Sequence, residues 1–311
     1  MKKNSFIVIL SGMILTYSPL AGASDALGIG DLAFGQSHMQ TFVELEKLCD
    51  HVDAITAMPV QFPLAAETEE HLRCHGLRTS NGVVAQSVFV IADNRLVMIE
   101  MRGGAVDALA SSRADEPMPY LHYSVFDRGR LFADTVSDTV WLLHEDALHP
   151  NLFTWSNPYM DVLGGNGPVY ETNARLPGFV QFGATLTKLR PLFEAHCPIM
   201  NVETIDQIWL PNGPASQTQI NCFGLEYAGF PRKIEAVFGD GRLELLWILT
   251  AKPEESRVRE ALISAFGQPD KVEAQWDIFD GGQIALRKDK PEILAISDEL
   301  IPHYFKSLET E

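Results

Sequence analysis

The spacing of the four cysteines constrains this chain most strongly, and they are Cys49, Cys74, Cys197 and Cys222. The two cysteines of each pair are 25 residues apart, and the second pair repeats the first at an offset of 148. Aligned without a gap, residues 34–77 and 182–225 share nine identities in 44 positions. Ordinary composition gives about three. The spacing therefore indicates an internal duplication.

Two later blocks repeat in the same order. Residues 123–131 resemble residues 276–284, and the pattern Asp-x-Leu-x-Pro-x-x-Phe occurs at 146–153 and again at 298–305. We therefore predict a first half at 24–155 and a second half at 181–311. Between them, residues 156–180 contain Leu-Gly-Gly-Asn-Gly-Pro, which is typical of a linker.

Each half is expected to contain one disulfide bond. Four cysteines allow three pairings, and a duplicated fold should repeat its local pairing. This argument favours Cys49–Cys74 and Cys197–Cys222. Each bond would close a loop of about 25 residues and stabilise its half by roughly 3 kcal/mol.

The residue patterns predict an α+β fold in which each half reads helix, three strands, helix, three strands. Ser37 and Thr185 stand at equivalent positions as helix N-caps, although Pro191 interrupts the second helix pattern. Short turns between consecutive strands, such as Gly239-Asp240-Gly241, favour antiparallel pairing. We expect an antiparallel sheet with helices covering one face.

Residues 1–23 have the pattern of a secretory signal peptide. Lys2 and Lys3 precede an apolar run from Phe6 to Tyr17, and Ala21-Gly22-Ala23 is a small-residue cleavage site. The apolar run is too short to span a bilayer, and no later apolar run approaches 18 residues. The pattern predicts a periplasmic or secreted protein that begins at Ser24 and has no integral membrane segment after cleavage.

The formal net charge of −17 excludes some classes of partner. An acidic protein repels phosphate backbones, so nucleic acid and anionic membrane surfaces are poor partners. Apolar residues make up 46% of the chain, which is typical of a globular protein.

The end of the second half resembles a family of small exported modules. The residues that carry the likeness are Phe266-Gly267-Gln268-Pro269, then Trp276 and Phe279 to Gly282. The family includes the beta-lactamase inhibitory proteins and the small lipoprotein of the outer-membrane assembly machine. The inhibitors are similar in having two tandem α/β modules, each with an internal disulfide. The resemblance implies a protein-binding surface on the sheet and no enzyme activity.

His71-Leu-Arg-Cys74-His75 is a local cluster of metal-ligating residue types. Two strand residues four apart share a face but stand about 13 Å from each other, too far to chelate one ion. Cys74 is also expected to be in a disulfide. We therefore predict no metal and no cofactor.

No motif for nucleophilic catalysis stands in the sequence, and every cysteine is expected to be bridged. Glu69-Glu70 and Glu254-Glu255 are adjacent acids rather than catalytic pairs, and the second pair suits the first turn of a helix. General acid–base catalysis by residues distant in sequence stays open. Asp146 and Asp298 are predicted to cap short turns at the end of each half.

Two polar triplets are the candidate partner-binding residues: Glu69, His71 and Arg73 in the first half, and Gln217, Gln219 and Asn221 in the second. They alternate with the residues in line with Cys74 and Cys222. If the cysteine side of each sheet meets the helix, the triplets point to solvent. The alternative is an ordinary wetted sheet face.

Three functions follow from these features. The first is an exported protein-binding module, possibly inhibitor-like, with no catalysis. The second is an exported enzyme or small-ligand-binding protein that uses the cleft between the halves. The third is a cell-envelope assembly or structural factor.

Overall fold

The computed structural model of the chain describes residues 27–111, 113–161 and 167–305. The predicted signal peptide at 1–23 lies outside these ranges. The described residues form two eight-stranded antiparallel sheets, one in each half. The predicted duplication is therefore present as two similar sheets. The fold contains both helices and strands, as predicted.

The first sheet has the strand order β1-β2-β3-β4-β8-β7-β6-β5. It is preceded by helix α1 (His38–Leu48), and a single π-helical turn at Val106–Ala110 separates its first four strands from its last four. The strands are β1 (His51–Thr56), β2 (Glu69–Thr79), β3 (Gly82–Ala92), β4 (Arg95–Arg102), β5 (Met118–Tyr120), β6 (Tyr123–Phe126), β7 (Leu131–Asp134) and β8 (Thr139–Leu143).

The second sheet has the equivalent order β13-β14-β15-β16-β12-β11-β10-β9. Its helices are α2 (Leu186–His196), α3 (Glu255–Phe266) and the short α4 (Ile301–Tyr304). The strands are β9 (Ile199–Thr204), β10 (Gln217–Tyr227), β11 (Phe230–Gly239), β12 (Arg242–Leu249), β13 (Lys271–Val272), β14 (Trp276–Phe279), β15 (Ile284–Arg287) and β16 (Glu292–Ile296).

Each block therefore has four strands where the sequence predicted three. The additional strands in the second half are β9 and β13, which lie at the two edges of the sheet. β9 has no fully buried residue and β13 has only two residues, so neither carries a clear alternation of apolar and polar side chains. Edge strands are half solvated, and this weakens the pattern by which a strand is recognised.

The helix N-caps are confirmed. The Ser37 hydroxyl accepts a hydrogen bond from the Gln40 amide, and the Gln40 side-chain oxygen accepts one from the Ser37 amide, which completes a capping box. Thr185 accepts a hydrogen bond from the Lys188 amide. Helix α2 continues through Pro191.

Both predicted disulfides are present. Cys49 at the end of α1 bonds to Cys74 on β2, and Cys197 at the end of α2 bonds to Cys222 on β10. The Cα–Cα distances are 5.7 and 5.3 Å. Each bond joins the end of a helix to the second strand of its sheet, and no cysteine is free in the described ranges.

Apolar side chains pack on both faces of each sheet. On the cysteine side of the first sheet, Leu45 from α1 packs with Leu72 and Cys74. On the opposite side, a second core joins strand residues such as Val90 and Trp141 to residues of the loops at 57–68 and 144–155. The second sheet has an equivalent pair of cores.

This second core corrects the predicted exposure of the polar triplets. Glu69, His71, Arg73, Gln217 and Asn221 are buried, and Gln219 is half-buried. Alternation placed them correctly on the side opposite the cysteines, but loops cover that side, so five of the six do not face solvent. They cannot form the open sheet surface that the sequence predicted.

The segment predicted as a linker packs against both halves where it is described. Asn157, Tyr159 and Met160 are buried on the first half, whereas Ala174 belongs to a core of the second. The backbone amides of Ala228 and Gly229 donate to the carbonyls of Asn173 and Glu171.

Candidate functional site

The site begins with Glu69, the first residue of β2. Its Oε2 atom accepts hydrogen bonds from the backbone amides of Gln61 and Phe62, both at 2.8 Å. These bonds fix the loop between β1 and β2 against the sheet. Gln217 has the same position in the second half, where its Oε1 accepts from the amides of Trp209 and Leu210, both at 3.1 Å.

His71 continues the network across the sheet. Its Nε2 lies 2.9 Å from Glu69 Oε1, and its Nδ1 lies 3.0 Å from Asn157 Nδ2. The Tyr159 amide donates to Asn157 Oδ1, which leaves the Asn157 amino group to donate to His71. His71 Nδ1 is therefore the acceptor, and its Nε2–H donates to Glu69.

Glu69 carries the negative charge of this network. Burial raises the pKa of its carboxyl, but the hydrogen bonds from His71 and from the two loop amides lower it, and the net pKa is below the ordinary value. A carboxylate that accepts several N–H bonds is stabilised in its ionised form. Glu69 is therefore ionised at neutral pH.

A second buried carboxylate anchors the segment that follows the first half. Glu100 on β4 accepts from the Asn157 amide at 2.7 Å and from Arg102 Nη2 at 2.6 Å. Burial raises the pKa of Glu100 above its ordinary value, although Arg102 opposes this shift. Arg102 also donates to Ser156, so the network holds residues 156 and 157 on the sheet.

A cleft lies beside this network, and we call it the inter-half cleft. It has a volume of about 330 Å³, part of which is open solvent. Its lining comes from Glu69, from Phe230 on β11, and from residues within 57–62, 155–159 and 167–170. Seven of the 14 lining residues lie within 155–170, in and directly before the segment that joins the two halves, and five lie in the loop between β1 and β2.

Aromatic rings form much of the wall of the cleft. The ring centroids of Phe62 and Trp155 are 5.4 Å apart, as are those of Trp155 and Phe230. Tyr170 packs edge-on against Phe230 at 5.7 Å. Tyr159 stacks on His71 at 4.2 Å. These rings form one continuous group next to the Glu69 network.

The rim of the cleft is apolar and exposed. The relative exposure of Met58 is 73% and that of Val169 is 62%. Both residues line the cleft. Exposed large apolar side chains beside a concave surface often mark a binding site.

The two halves meet at this cleft through direct hydrogen bonds. Gln61 exchanges hydrogen bonds with the backbone of Tyr170 and also donates to the Gly229 carbonyl. Arg257 of α3 donates to the carbonyls of Phe62 and Ala65. Phe230 of the second half belongs to a core that otherwise consists almost entirely of residues from the first half and the joining segment.

The structure does not bring the two predicted triplets together as one surface. Glu69 and His71 belong to the inter-half site, whereas Arg73 pairs with Asp53, its Nη2 lying 2.7 Å from Asp53 Oδ2. In the second half, Gln219 Nε2 donates to Asn221 Oδ1 at 2.7 Å. Only Glu69 lines the cleft.

The remaining sequence motifs have local contacts. His75 lies 3.8 Å from Asp53, and the described ranges contain no cluster of three or more His, Cys, Asp or Glu side chains that could hold a metal. Asp298 accepts from the Gln283 side chain at 2.5 Å, and Asp146 contacts His144 at 3.1 Å, so their side chains make contacts other than the predicted caps. Phe153 and Phe305 are buried.

Glu254, one of the adjacent acids, forms a buried ion pair instead of part of a reactive site. Both of its oxygens accept from Arg232, at 2.7 and 2.9 Å. Arg232 also donates to the carbonyls of Tyr227 and Ala228. This pair joins the start of α3 to β11.

His71 lies behind the wall of the cleft and is not part of its lining. His71 is fully buried and uses both ring nitrogens within the protein, so it has no free nitrogen for proton transfer to a bound molecule. The lining of the cleft combines a fixed carboxylate, mostly buried aromatic side chains and an apolar rim.

Sequence reasoning missed the aromatic residues of the site. Trp155, Tyr159 and Tyr170 lie in or beside the segment assigned as a linker, and Phe230 starts a strand far along the chain. The signal in the sequence was the density of aromatic residues within a Gly- and Pro-rich segment, since an unstructured linker has little use for large apolar rings.

Comparisons with known proteins do not identify a relative. No family model, no curated protein and no solved structure matches this chain. None of the helices in the described ranges has the length and apolar character needed to cross a membrane.

Proposed function

We propose that this chain is an exported binding protein that captures a protein partner at the inter-half cleft and has no catalysis of its own. The observation that carries the proposal is the exposed apolar rim of Met58 and Val169 around an aromatic cleft. The buried triplets move the proposed contact surface from the sheet face to this cleft.

The two disulfides support the exported setting. Disulfide bonds persist in oxidising compartments such as the periplasm and the extracellular space. The signal-like pattern at residues 1–23 agrees with such a location.

Site-specific photocrosslinking tests the proposal. A photoreactive amino acid at position 58 or 169 should form a crosslink to the same partner protein in the native envelope. Val136 and Val272 are matched controls, because they are exposed apolar residues, one in each half, that do not line the cleft. The controls should not yield that crosslink.

A pair of double variants completes the test. Met58→Asp with Val169→Asp should fold normally, since both side chains are exposed, and should lose the crosslinked partner. Val136→Asp with Val272→Asp should retain it. If both double variants capture every partner as well as the parent does, the cleft is not the contact surface.

A further inference from the structure

We infer that the open edge of the first sheet binds an extended segment of the partner protein, which adds to the sheet as a further strand beside β1. This inference rests on the proposed function and specifies how the partner reaches the inter-half cleft. It combines three features of the described residues: the outward backbone groups of β1, the lack of protection at this edge, and the continuity of β1 with the rim of the cleft.

The backbone of β1 has hydrogen-bonding groups that point away from the sheet. The Ala57 amide donates to the Glu69 carbonyl at 2.9 Å, which continues the register of β1 and β2 as a hydrogen-bonded pair. Hydrogen-bonded pairs alternate with non-bonded pairs along an antiparallel ladder. Val52, Ala54 and Thr56 therefore direct their N–H and C=O groups outward. None of these groups has a hydrogen-bond partner within the described residues.

The other three sheet edges are shorter or partly covered. β13 has two residues, and β5 has three, with Pro119 in the middle. A proline lacks the N–H donor, and proline and short length are means by which edge strands avoid pairing with other chains. β9 has six residues, but Ile199 at its start packs against a core that lies mainly in the first half. β1 has six residues without proline, lysine, arginine or a break in register.

The outward backbone groups define the chemistry of the ligand. Unpaired N–H and C=O groups at a regular spacing bind the backbone of another extended chain, and adjacent side chains add specificity. Six strand residues span about 20 Å, which is an ordinary length for one strand of a sheet. Val52 and Ile55 are half-buried on opposite faces of β1, so they favour β-branched or aromatic neighbours on the added strand.

β1 leads directly into the proposed contact surface. Thr56 is followed by Ala57 and Met58, which line the inter-half cleft. A strand added beside β1 ends next to the exposed side chain of Met58, so an apolar residue at that end of the segment contacts the rim. Because the edge lies at the surface, this mode of binding needs no cavity within the protein and leaves the packed aromatic side chains in place.

Proline substitution tests the inference. Ala54→Pro removes the central outward N–H and places a proline ring in the path of an added strand, but it breaks no hydrogen bond to β2. Val202→Pro is the matched control, because Val202 holds the equivalent position in β9. Its backbone also points outward, since the Ile205 amide donates to the Gln217 carbonyl in the same register.

We expect Ala54→Pro to lower capture of the partner that crosslinks at position 58 at least about tenfold, since it removes a hydrogen bond and blocks the edge. Val202→Pro should leave the capture unchanged. Circular dichroism and thermal melting confirm that both variants are folded.

Hydrogen exchange of the parent protein, measured by NMR, gives a test that needs no variant. The probe is a blocked peptide, Thr-Val-Thr-Val-Thr, and its control is the same peptide with every amide N-methylated. We expect the probe to slow exchange of the Val52, Ala54 and Thr56 amides several-fold without slowing that of the Val202 amide. The N-methylated peptide should slow none of them. Equal slowing in β1 and β9, or by both peptides, would contradict recognition of the β1 edge.

The outcomes separate this inference from the proposed function. If Ala54→Pro captures the partner as well as the parent does, while Met58→Asp with Val169→Asp loses it, the added strand is overturned and the cleft remains the contact surface. If both keep every crosslink, both proposals fail. If a photoreactive amino acid at position 54 crosslinks to a second copy of this chain, or to another segment of the same chain, the edge has a different occupant and the inference is overturned.

Discussion

Glu69 and Gln217 occupy the same position in the two halves, and each side chain accepts hydrogen bonds from two consecutive backbone amides of the preceding loop. This shared arrangement fixes the loop between the first two strands of each sheet. An amide and a carboxylate are equally able to accept the two bonds. Fixing this loop therefore does not require a charge, and the charge of Glu69 is a feature of the first half alone.

The surroundings of Glu69 are also more polar than those of Gln217. Glu69 has His71 as a further partner, whereas the Nε2 atom of Gln217 has no hydrogen-bond partner among the described residues. The strand position of Glu100 is taken in the second half by Trp247, which belongs to an apolar core. At the positions of His71 and Glu100 the first half thus has a buried polar network, whereas the second half has, within the described residues, no partner for the Gln217 amino group and an apolar side chain, Trp247. Both halves thus have the contact that fixes the loop, whereas only the first half has the charged site.

Replacing Phe230 should have the largest effect, because this residue connects the halves. Phe230 is buried against Phe62, Trp155 and Tyr170. Phe230→Ala should lower the free energy of unfolding by about 3–5 kcal/mol. Chemical denaturation of the variant and the parent measures this loss.

A fragment of residues 178–311 tests whether the second half folds without the first. We predict that it folds alone once its disulfide forms, because it has its own helices, sheet and core. It should be less stable than the second half within the full chain, since Phe230 loses its partners. A fragment that stays unfolded after oxidation would mean that the halves are one folding unit.

Removing either disulfide should cost nearly the same free energy. Both bonds close loops with a sequence separation of 25, so the double variants Cys49→Ala/Cys74→Ala and Cys197→Ala/Cys222→Ala should each lose about 3 kcal/mol. Denaturant unfolding of the two variants gives the comparison. If the smaller loss in free energy of unfolding is less than about half of the larger one, the two bonds are not equivalent.

Glu69→Gln should cost about 1–3 kcal/mol at neutral pH, because the new amide group would face the Nε2–H donor of His71. The cost should depend on pH. The pKa of Glu69 in the folded protein is below its ordinary value of about 4.3, so its contribution is complete above that value. As the pH falls through the folded-state pKa the contribution is lost, and the difference between parent and variant should narrow.

Gln217→Leu is the matched control for this prediction. It removes the acceptor of the Trp209 and Leu210 amides and should also cost about 1–3 kcal/mol. Since Gln217 does not titrate, its cost should not change over the same range of pH. Parallel pH dependence in the two variants would contradict the assigned role of Glu69.

The smallest effect is expected at Asp53. Asp53 is partly exposed although its partner Arg73 is buried, and Asn201 and Asn221 take the two positions in the second half. Asp53→Asn should therefore cost no more than about 1 kcal/mol. Thermal melting at low and high salt measures it, and a larger loss at either salt concentration would show that this pair matters more than its exposure indicates.

The duplication was the part of the fold that could be predicted best from the sequence. The repeated spacing located both disulfides, and the positions of Ser37 and Thr185 located two helix caps, because these features depend on residues close in the chain. The side of the sheet on which His71 lies was also predictable from alternation.

The candidate site was not predictable in the same way. Alternation does not tell what covers a sheet face, and the loop that buries His71 is held there by Glu69 and Asn157, which are far apart in sequence. The cleft combines Glu69, Trp155 and Phe230 from three separate regions. Edge strands such as β13 were missed because two residues show no period.

The strand order within each sheet has a consequence for how the chain folds. Among the first four strands each strand pairs with the next one along the chain, and the same holds for the last four. The central pair β4–β8, in contrast, joins residues as distant as Met98 and Leu143. Local pairs lose less chain entropy on closing than distant ones. Strands β1–β4 and strands β5–β8 can therefore assemble first as two separate ribbons. Pairing β4 with β8 then joins the ribbons, and this is the step of highest contact order. Because each disulfide joins one ribbon to the helix that directly precedes it in the chain, oxidation can precede that step without obstructing it.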